Sequence, residues 1–189
     1  MSDEIESRFP FRAAADVAQS ILDRLRPCCE RMQVAGSIRR LCKEVGDIEI
    51  LLIPKMMDVK IDLIESVPVS AAGQEIEAMI EAGTITKRLN SKGSPTWGPL
   101  NKYAVHVASG IPVDFFNTTA ENWWVSLVVR TGSAETNLLL AKGANRQNKT
   151  LQSYGAGVLD RKTGAVEVCT SEEQVFRACG VPYRQPKDR

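Results

Sequence analysis

The sequence lacks the features of a membrane, exported or disulfide-bonded protein. No apolar run reaches the roughly 18 residues that would span a bilayer, and the first residues, MSDEIESRFP, contain no hydrophobic signal core. The five cysteines are odd in number and show no C-x-x-C spacing, which favours reduced thiols over a zinc site or a disulfide framework. The 189 residues therefore predict a soluble, cytoplasmic protein with one domain or two small subdomains.

A strong net charge is also missing. The formal charge is +1, whereas a strongly basic total is the usual electrostatic sign of a nucleic-acid-binding protein. The distribution is uneven, because residues 121–189 carry 10 Lys and Arg against 7 Asp and Glu, and residues 1–120 carry 14 against 16. A groove that contacts a nucleic-acid backbone and an ordinary solvated face are both compatible with this pattern. For the groove we assign Lys92, Lys142, Arg146 and Lys149.

What is present is a phosphate-binding pattern followed directly by two carboxylates. In GSIRRLCKEVGDIEILLIPK, Gly36 lets backbone N–H groups approach an anion, Ser37 can donate its hydroxyl proton, and an arginine fork fits phosphate geometry. The segment GDIEILLI predicts a strand on which Asp47 and Glu49 share a face, about 6.6 Å apart at their Cα atoms. Two side chains can converge from that spacing on metal ions about 3.5–4 Å apart. Two solvent-facing acids on a half-buried strand would be the simpler interpretation.

This arrangement resembles the nucleotidyltransferase palm of family X DNA polymerases, the group of polymerase beta. That family has GS-x-x-R followed by GD-x-D on the next strand, which implies that Arg40, with Ser37 and the backbone of Gly46, holds the nucleotide phosphates. The resemblance also implies a third carboxylate on a neighbouring strand. Asp114 in IPVDFF fits that position, with Asp47 and Glu49, as a metal triad and as the general base for a 3′-hydroxyl.

The resemblance continues to the end of the chain. RTGSAETN looks like the family's TGS-x-x-x-N junction, which implies that Asn137 contacts the base and that Gly132 leaves room for the sugar. Arg130 and Ser133 belong to the same nucleotide-binding segment. The tail EEQVFRACGVPYRQPKDR resembles the closing part of the polymerase thumb.

The resemblance implies a fold, an activity and partners. The fold expected is α+β, with a polymerase beta-like nucleotidyltransferase palm over residues 1–118, made of a mixed sheet with flanking helices, and a small α/β thumb over residues 119–189. The activity expected is DNA-directed nucleotidyl transfer in gap filling or repair, using two Mg²⁺ ions, or Mn²⁺ as a substitute, with (d)NTP and primer-template or gapped DNA as partners. A monomer of microbial, viral or phage origin is expected, without the lyase and helix-hairpin-helix domains of larger relatives.

Several residues depart from the family pattern. Glu49 stands where the polymerases have Asp, which puts the rate and the metal preference in question. Val129 and Arg130 replace an aromatic pair that crowds the sugar 2′ position, and Ala141 replaces an arginine that probes the template, so weak sugar discrimination and low fidelity are expected. Pro112 and Phe116 replace arginines that flank the third Asp.

Two other functions remain open. The weak basic charge and the missing DNA-gripping domains favour a nucleotidyltransferase that acts on another acceptor, such as a single-strand end, tRNA or a small molecule. A non-catalytic binding module is disfavoured by the complete set of acids, serine and arginine. His106, the only histidine, lies on a predicted strand and is expected to be structural.

The local patterns predict the elements that carry these residues. Apolar residues at helical spacing predict a helix from Phe11 to Met32. Further predictions are helices at Lys60 to Val67, Gly73 to Ala82 and Thr118 to Val129, and a hairpin of Leu151 to Asp160 with Ala165 to Cys169. Thr170 and Glu173 form a predicted capping box for a last helix.

Overall fold

The computed structural model describes residues 8–60, 62 and 65–189. The strands are β1 (Phe9–Pro10), β2 (Cys29–Val34), β3 (Glu44–Val45), β4 (Ile48–Pro54), β5 (Met56–Lys60), β6 (Ser66–Ser70), β7 (Ile85–Lys87), β8 (Asn101–His106), β9 (Pro112–Asn117), β10 (Lys149–Leu151), β11 (Gly157–Asp160) and β12 (Val166–Val168). The helices are α1 (Phe11–Leu25), α2 (Gly36–Arg39), α3 (Ala71–Glu81), α4 (Trp123–Thr131), α5 (Ala134–Arg146) and α6 (Glu172–Ala178).

The chain divides into two compact units. The first contains the described residues up to Val34 and those from Lys43 to Asn117, and the second contains Ala35–Cys42 and Thr118–Arg189. The short segment with α2 thus interrupts the first unit in sequence and groups with the last third of the chain.

A five-stranded mixed sheet forms the first unit, in the order β2-β4-β9-β8-β7. β4 and β9 run parallel, and the other neighbours are antiparallel. Helices α1 and α3 contact each other and pack on β2 and β4. Ile48, Ile50, Val113 and Phe115 share one face of the two central strands and are at most 1% exposed. Burying each of these side chains contributes about 1.5–3 kcal/mol, so apolar packing on this face stabilises the central strand pair.

The second unit combines helices with a three-stranded antiparallel sheet, β10-β11-β12. Its core is built from apolar residues of α4, α5, α6 and β11, including Val128, Leu140, Val158 and Phe176. Trp123 is 1% exposed and Trp124 packs against this core, which confirms both tryptophans as packing residues. The predicted α+β class with a mixed sheet is confirmed.

Two predicted helix boundaries are wrong for identifiable reasons. α1 ends at Leu25 rather than Met32, because Pro27 cannot donate a backbone hydrogen bond and disfavours helical geometry in the residue before it. β2 follows at Cys29. The helix predicted from Thr118 begins at Trp123 and ends at Thr131, since the Thr118 hydroxyl contacts Ser126 Oγ at 2.9 Å instead of capping a helix.

The helix predicted at Lys60 to Val67 is also wrong where the structure describes it. Lys60 ends β5, and Ser66 and Val67 begin β6, which pairs antiparallel with β5. β-Branched valines favour this hairpin, and Pro68 is tolerated because the ribbon has open edges. Residues 61, 63 and 64 lie outside the described part.

The last helix and the hairpin before it differ slightly from prediction. Ser171, not Thr170, is the N-cap of α6, and its hydroxyl accepts a hydrogen bond from the Gln174 N–H at 3.2 Å. The Gln174 side chain in turn accepts a hydrogen bond at Oε1 from the Thr170 N–H, at 2.8 Å. The strand predicted from Leu151 to Asp160 is two strands, β10 and β11, and β12 is shorter than predicted.

The cysteines agree with the expectation of reduced thiols. All five are free, and Cys29, Cys169 and Cys179 are buried. Burial raises the pKa of Cys179 to about 12 and that of Cys29 to about 11. These thiols are protonated at neutral pH, so they behave as packing residues rather than nucleophiles.

Among the described residues, no helix is both long and apolar enough to cross a bilayer.

Gly143 in α5 provides a test of the packing in the second unit. A Cβ there would collide with the carbonyl oxygen of Cys179 and lie 2.7 Å from Val181 Cγ2. Gly to Ala in a helix normally stabilises by about 1 kcal/mol, but Gly143→Ala should destabilise by about 1–3 kcal/mol because of this overlap. Urea denaturation of the full chain measures the change. The control Lys142→Ala, at an exposed neighbour, should stay within about 0.5 kcal/mol, and a gain in stability for Gly143→Ala would contradict the packing described.

Candidate active site

The carboxylates predicted to bind metal lie on the two parallel central strands. Glu49 on β4 is paired in register with Asp114 on β9, and Asp47 immediately precedes β4. Asp114 is in the middle of its strand and is 6% exposed. In-register residues of neighbouring strands share a face and lie about 4.8 Å apart, so the backbone brings Glu49 and Asp114 side by side.

The side chains of these acids do not form a closed cluster. Within the described ranges, no group of three or more His, Cys, Asp or Glu side chains is arranged to hold a metal ion. The carboxylate of Asp114 is paired with Arg88, whose Nη2 lies 2.8 Å from Oδ1 and 2.9 Å from Oδ2. Three carboxylates nevertheless supply the hard oxygen ligands that Mg²⁺ and Mn²⁺ prefer, so the donor set fits the metals expected from the sequence.

Sequence reasoning missed Arg88. It follows β7, and its backbone N–H donates to the carbonyl oxygen of Tyr103 on β8, which is itself paired with Asp114. The guanidinium carbon lies 5.0 Å from the centre of the Tyr103 ring. Strand alternation in TITKRL could have indicated that Arg88 and Lys87 face opposite sides, but the partner strand depends on a long-range register that no local pattern fixes.

The predicted phosphate-binding residues Gly36, Ser37 and Arg40 belong to the second unit. Gly36 begins the one-turn helix α2 with a positive φ of 58°, a conformation that suits glycine. The Ser37 hydroxyl is buried and has no hydrogen-bond partner among the described residues. Leaving a buried hydroxyl unpaired costs about 1–3 kcal/mol, so this oxygen is suited to a ligand. Gly46 lies in the first unit, directly before Asp47.

The predicted sugar and base residues lie beside Arg40 in the same unit. Arg40 donates from Nη1 to the carbonyl oxygen of Thr131. Gly132 has a φ of 63°, and a Cβ on it would lie 3.2 Å from Arg40 Nη1. Asn137 Nδ2 donates to the Val129 carbonyl at 2.8 Å, while its Oδ1 is buried with no partner within the described part of the chain. The Asn137 Oδ1 atom, on the residue predicted to contact a base, is thus an acceptor that a ligand could use.

Arg130 and Ser133 have structural contacts of their own. Arg130 donates from Nη2 to the Tyr154 hydroxyl at 2.7 Å, and its guanidinium lies 5.6 Å from that ring. Ser133 is the N-cap of α5, and its hydroxyl accepts from the Thr136 N–H at 3.4 Å.

The residues predicted to contact nucleic acid are mostly exposed. Lys92 lies in the loop between β7 and β8, and Lys142 and Arg146 lie on α5. A groove of about 350 Å³ with neutral and basic lining includes Arg146 and Arg184. Lys149 is half-buried and pairs with Glu167 at 3.0 Å, so its charge is partly neutralised.

His106 contacts Ser109 Oγ through Nδ1 at 2.8 Å, in agreement with a structural role.

A buried ion triad holds the arginine next to Arg40. Arg39 donates from Nη1 and Nη2 to the two carboxylate oxygens of Glu172, at 2.7 and 2.8 Å. Arg189 donates to the same carboxylate at 3.1 Å, with a fully buried side chain stacked 4.8 Å over Phe176. Burial acts to raise the pKa of Glu172, but the hydrogen bonds from Arg39 and the charge of Arg189 outweigh it and lower the pKa below its ordinary value. Arg39 is therefore held in a structural ion pair.

Comparison with known proteins gives a structural match for nearly the whole chain and a family match for residues 126–189. The structure superposes on a crystal structure of Leishmania infantum polymerase beta in a ternary P/T complex with a TM-score of 0.72 and 16% identity. The match covers 98% of this chain and 77% of the other. The fold is thus that of polymerase beta. Residues 126–189 match the family described as DNA polymerase beta thumb.

These two findings agree with the resemblance: the fold is polymerase beta-like, and the C-terminal part resembles the polymerase beta thumb. No curated protein matches the chain in sequence.

The Glu172 triad predicts a specific dependence of stability on pH. Because the pKa of Glu172 is lower in the folded state than in the unfolded state, the triad stabilises fully above the ordinary glutamate pKa of about 4.3. That contribution is lost as the pH falls through the lower, folded-state value. Glu172→Gln should lower the unfolding free energy at pH 7 by about 3 kcal/mol and should flatten the loss of stability in acid.

The matched control is the exposed neighbour Glu173, which belongs to the same helical turn. Glu173→Gln should leave both the stability at pH 7 and its acid dependence close to wild type. Denaturant unfolding between pH 3 and 7 measures both effects; equal acid profiles for Glu172→Gln and wild type would show that the triad does not act as described.

Proposed function

We propose that this protein is a metal-dependent nucleotidyltransferase that acts as a DNA-directed DNA polymerase. The observation that carries the proposal is the register pairing of Glu49 with Asp114 on parallel strands of a polymerase beta-like fold. The substrates would be a (d)NTP and the 3′-hydroxyl of a primer-template or gapped duplex. We further propose that residues 1–118 serve as the palm and residues 119–189 as the thumb.

The residues of the first unit would perform the chemistry. Asp47, Glu49 and Asp114 would hold two Mg²⁺ ions, with Mn²⁺ as a substitute, and bound metal would stabilise the charge that develops during phosphoryl transfer. Asp114 would accept the proton of the attacking hydroxyl. Its low exposure supports this role, because burial keeps water away from the reacting groups.

The residues of the second unit would bind the nucleotide. Ser37 and Arg40 would contact the phosphates, and Asn137 would contact the base. The unpaired Ser37 hydroxyl and Asn137 Oδ1 support these roles, since each is a buried polar atom that a ligand would satisfy. Arg130, Gly132 and Ser133 would line the sugar, and the nucleic-acid backbone would contact Lys92, Lys142, Arg146 and Lys149.

A second candidate is nucleotidyl transfer to an acceptor that is not a DNA template-primer. The formal charge of only +1 favours it, because duplex DNA binding draws strongly on basic residues. Extension of gapped duplex, single-stranded DNA and RNA, each with all four NTPs and dNTPs, separates the two activities. Preferential extension of gapped duplex according to the template supports the polymerase; template-independent addition to single strands supports the alternative.

Asp114→Asn should reduce extension by about a thousandfold or more, because it removes both a metal ligand and the proposed base. Asp23→Asn, an exposed acid of α1, is the matched control and should retain full activity. Thermal unfolding of both variants shows whether the fold is kept. Activity of Asp114→Asn close to wild type, or no extension by wild type on any acceptor, would refute the proposed polymerase.

Weak sugar discrimination is expected, because Val129 and Arg130 bring no aromatic side chain to the segment before Gly132. Arg130 is instead bonded to Tyr154. The ratio of kcat/KM for dATP and ATP should lie within about tenfold. Single-nucleotide incorporation with each substrate measures it, and a preference beyond about a thousandfold would contradict the expectation.

A further inference from the structure

Four residues form a row across one face of the first unit's sheet. Glu49, Asp114 and Tyr103 are register partners on β4, β9 and β8, and Arg88 continues the row through the hydrogen bond from its N–H to the Tyr103 carbonyl. The row places a guanidinium at the end of a line that begins with two carboxylates.

Arg88 is fixed from two sides. One nitrogen, Nη2, contacts both oxygens of Asp114 at 2.8 and 2.9 Å, and the guanidinium lies over the Tyr103 ring at 5.0 Å. The Arg88 side chain is 31% exposed and that of Asp114 is 9% exposed. An ion pair this sheltered is screened less by solvent and salt than a surface pair.

The charge on Asp114 is balanced from a neighbouring strand, not from its own. Pro112 and Phe116, two residues to either side of Asp114 on β9, carry no charge. Alternation puts both of them on the same face as Asp114. Arg88, at the far side of β8, supplies a cation in direct contact with the Asp114 carboxylate.

We propose that Arg88 is a positioning residue that competes with divalent metal for the carboxylate of Asp114 and so sets the metal affinity of the site. This inference rests on the proposed function of the three carboxylates. Metal bound by Asp114 must share oxygens that Arg88 already contacts, and it must lie close to a fixed positive charge. Both effects weaken binding, and the Tyr103 ring keeps the guanidinium from moving away freely.

Mn²⁺ binding measured by electron paramagnetic resonance tests the proposal without any turnover. Arg88→Met, which removes the charge and keeps the length, should lower the apparent Kd for Mn²⁺ by about fivefold or more. Arg88→Lys keeps a positive charge and should bind Mn²⁺ more weakly than Arg88→Met. Circular dichroism and thermal unfolding report whether each variant is folded.

Lys87→Met is the matched control. Lys87 precedes Arg88 and carries the same charge, but it faces the other side of the sheet, where Nζ lies 4.7 Å from the Trp97 ring and 3.9 Å from Glu77. Its removal should change the Mn²⁺ affinity by less than about twofold, because the charge is more distant and screened.

The outcomes separate the two proposals. Mn²⁺ binding by wild type that is lost in Asp114→Asn supports the metal site, and tighter binding by Arg88→Met alone supports competition. Unchanged or weaker binding by Arg88→Met, or an equal gain in Lys87→Met, overturns the role of Arg88 while leaving the metal site intact. Absence of Asp114-dependent binding in both wild type and Arg88→Met overturns both.

Discussion

The parallel pairing of β4 with β9 is the constraint on which the first unit depends. It puts Ile48, Ile50, Val113 and Phe115 on the face packed in the core and, by alternation, Glu49 and Asp114 on the other face. A slip of one residue would exchange these faces and bury a carboxylate among apolar side chains. The energy of the core thus fixes the register, and the register fixes the positions of the acids.

The two adjacent arginines of the second unit make different contacts. The Arg39 guanidinium donates hydrogen bonds to Glu172 and to the Thr131 hydroxyl. The Arg40 guanidinium donates to the Thr131 carbonyl oxygen. A bidentate, largely buried ion pair requires arginine geometry, so lysine could not replace Arg39 without loss. The ion pair of Arg39 also restricts the backbone of the adjacent Arg40.

Much of the fold was predictable because it is encoded locally. Alternation in GDIEILLI indicated the strand β4 that carries Glu49. The pairing of Arg88 with Asp114 was not predictable, because it depends on how β7, β8 and β9 align across loops of different length. The β5–β6 hairpin was missed because its composition does not distinguish a short helix from an edge ribbon.

The grouping of residues 35–42 with the last third of the chain has a kinetic consequence. Arg39 contacts Thr131 and Glu172, which follow it by 92 and 133 residues. Contacts between residues so distant in sequence form only after a large loop has closed. Loop closure costs conformational entropy, and such contacts therefore slow folding. Arg39 cannot make these contacts until the later residues have folded, so the turn that carries it should be among the last parts of the chain to become ordered.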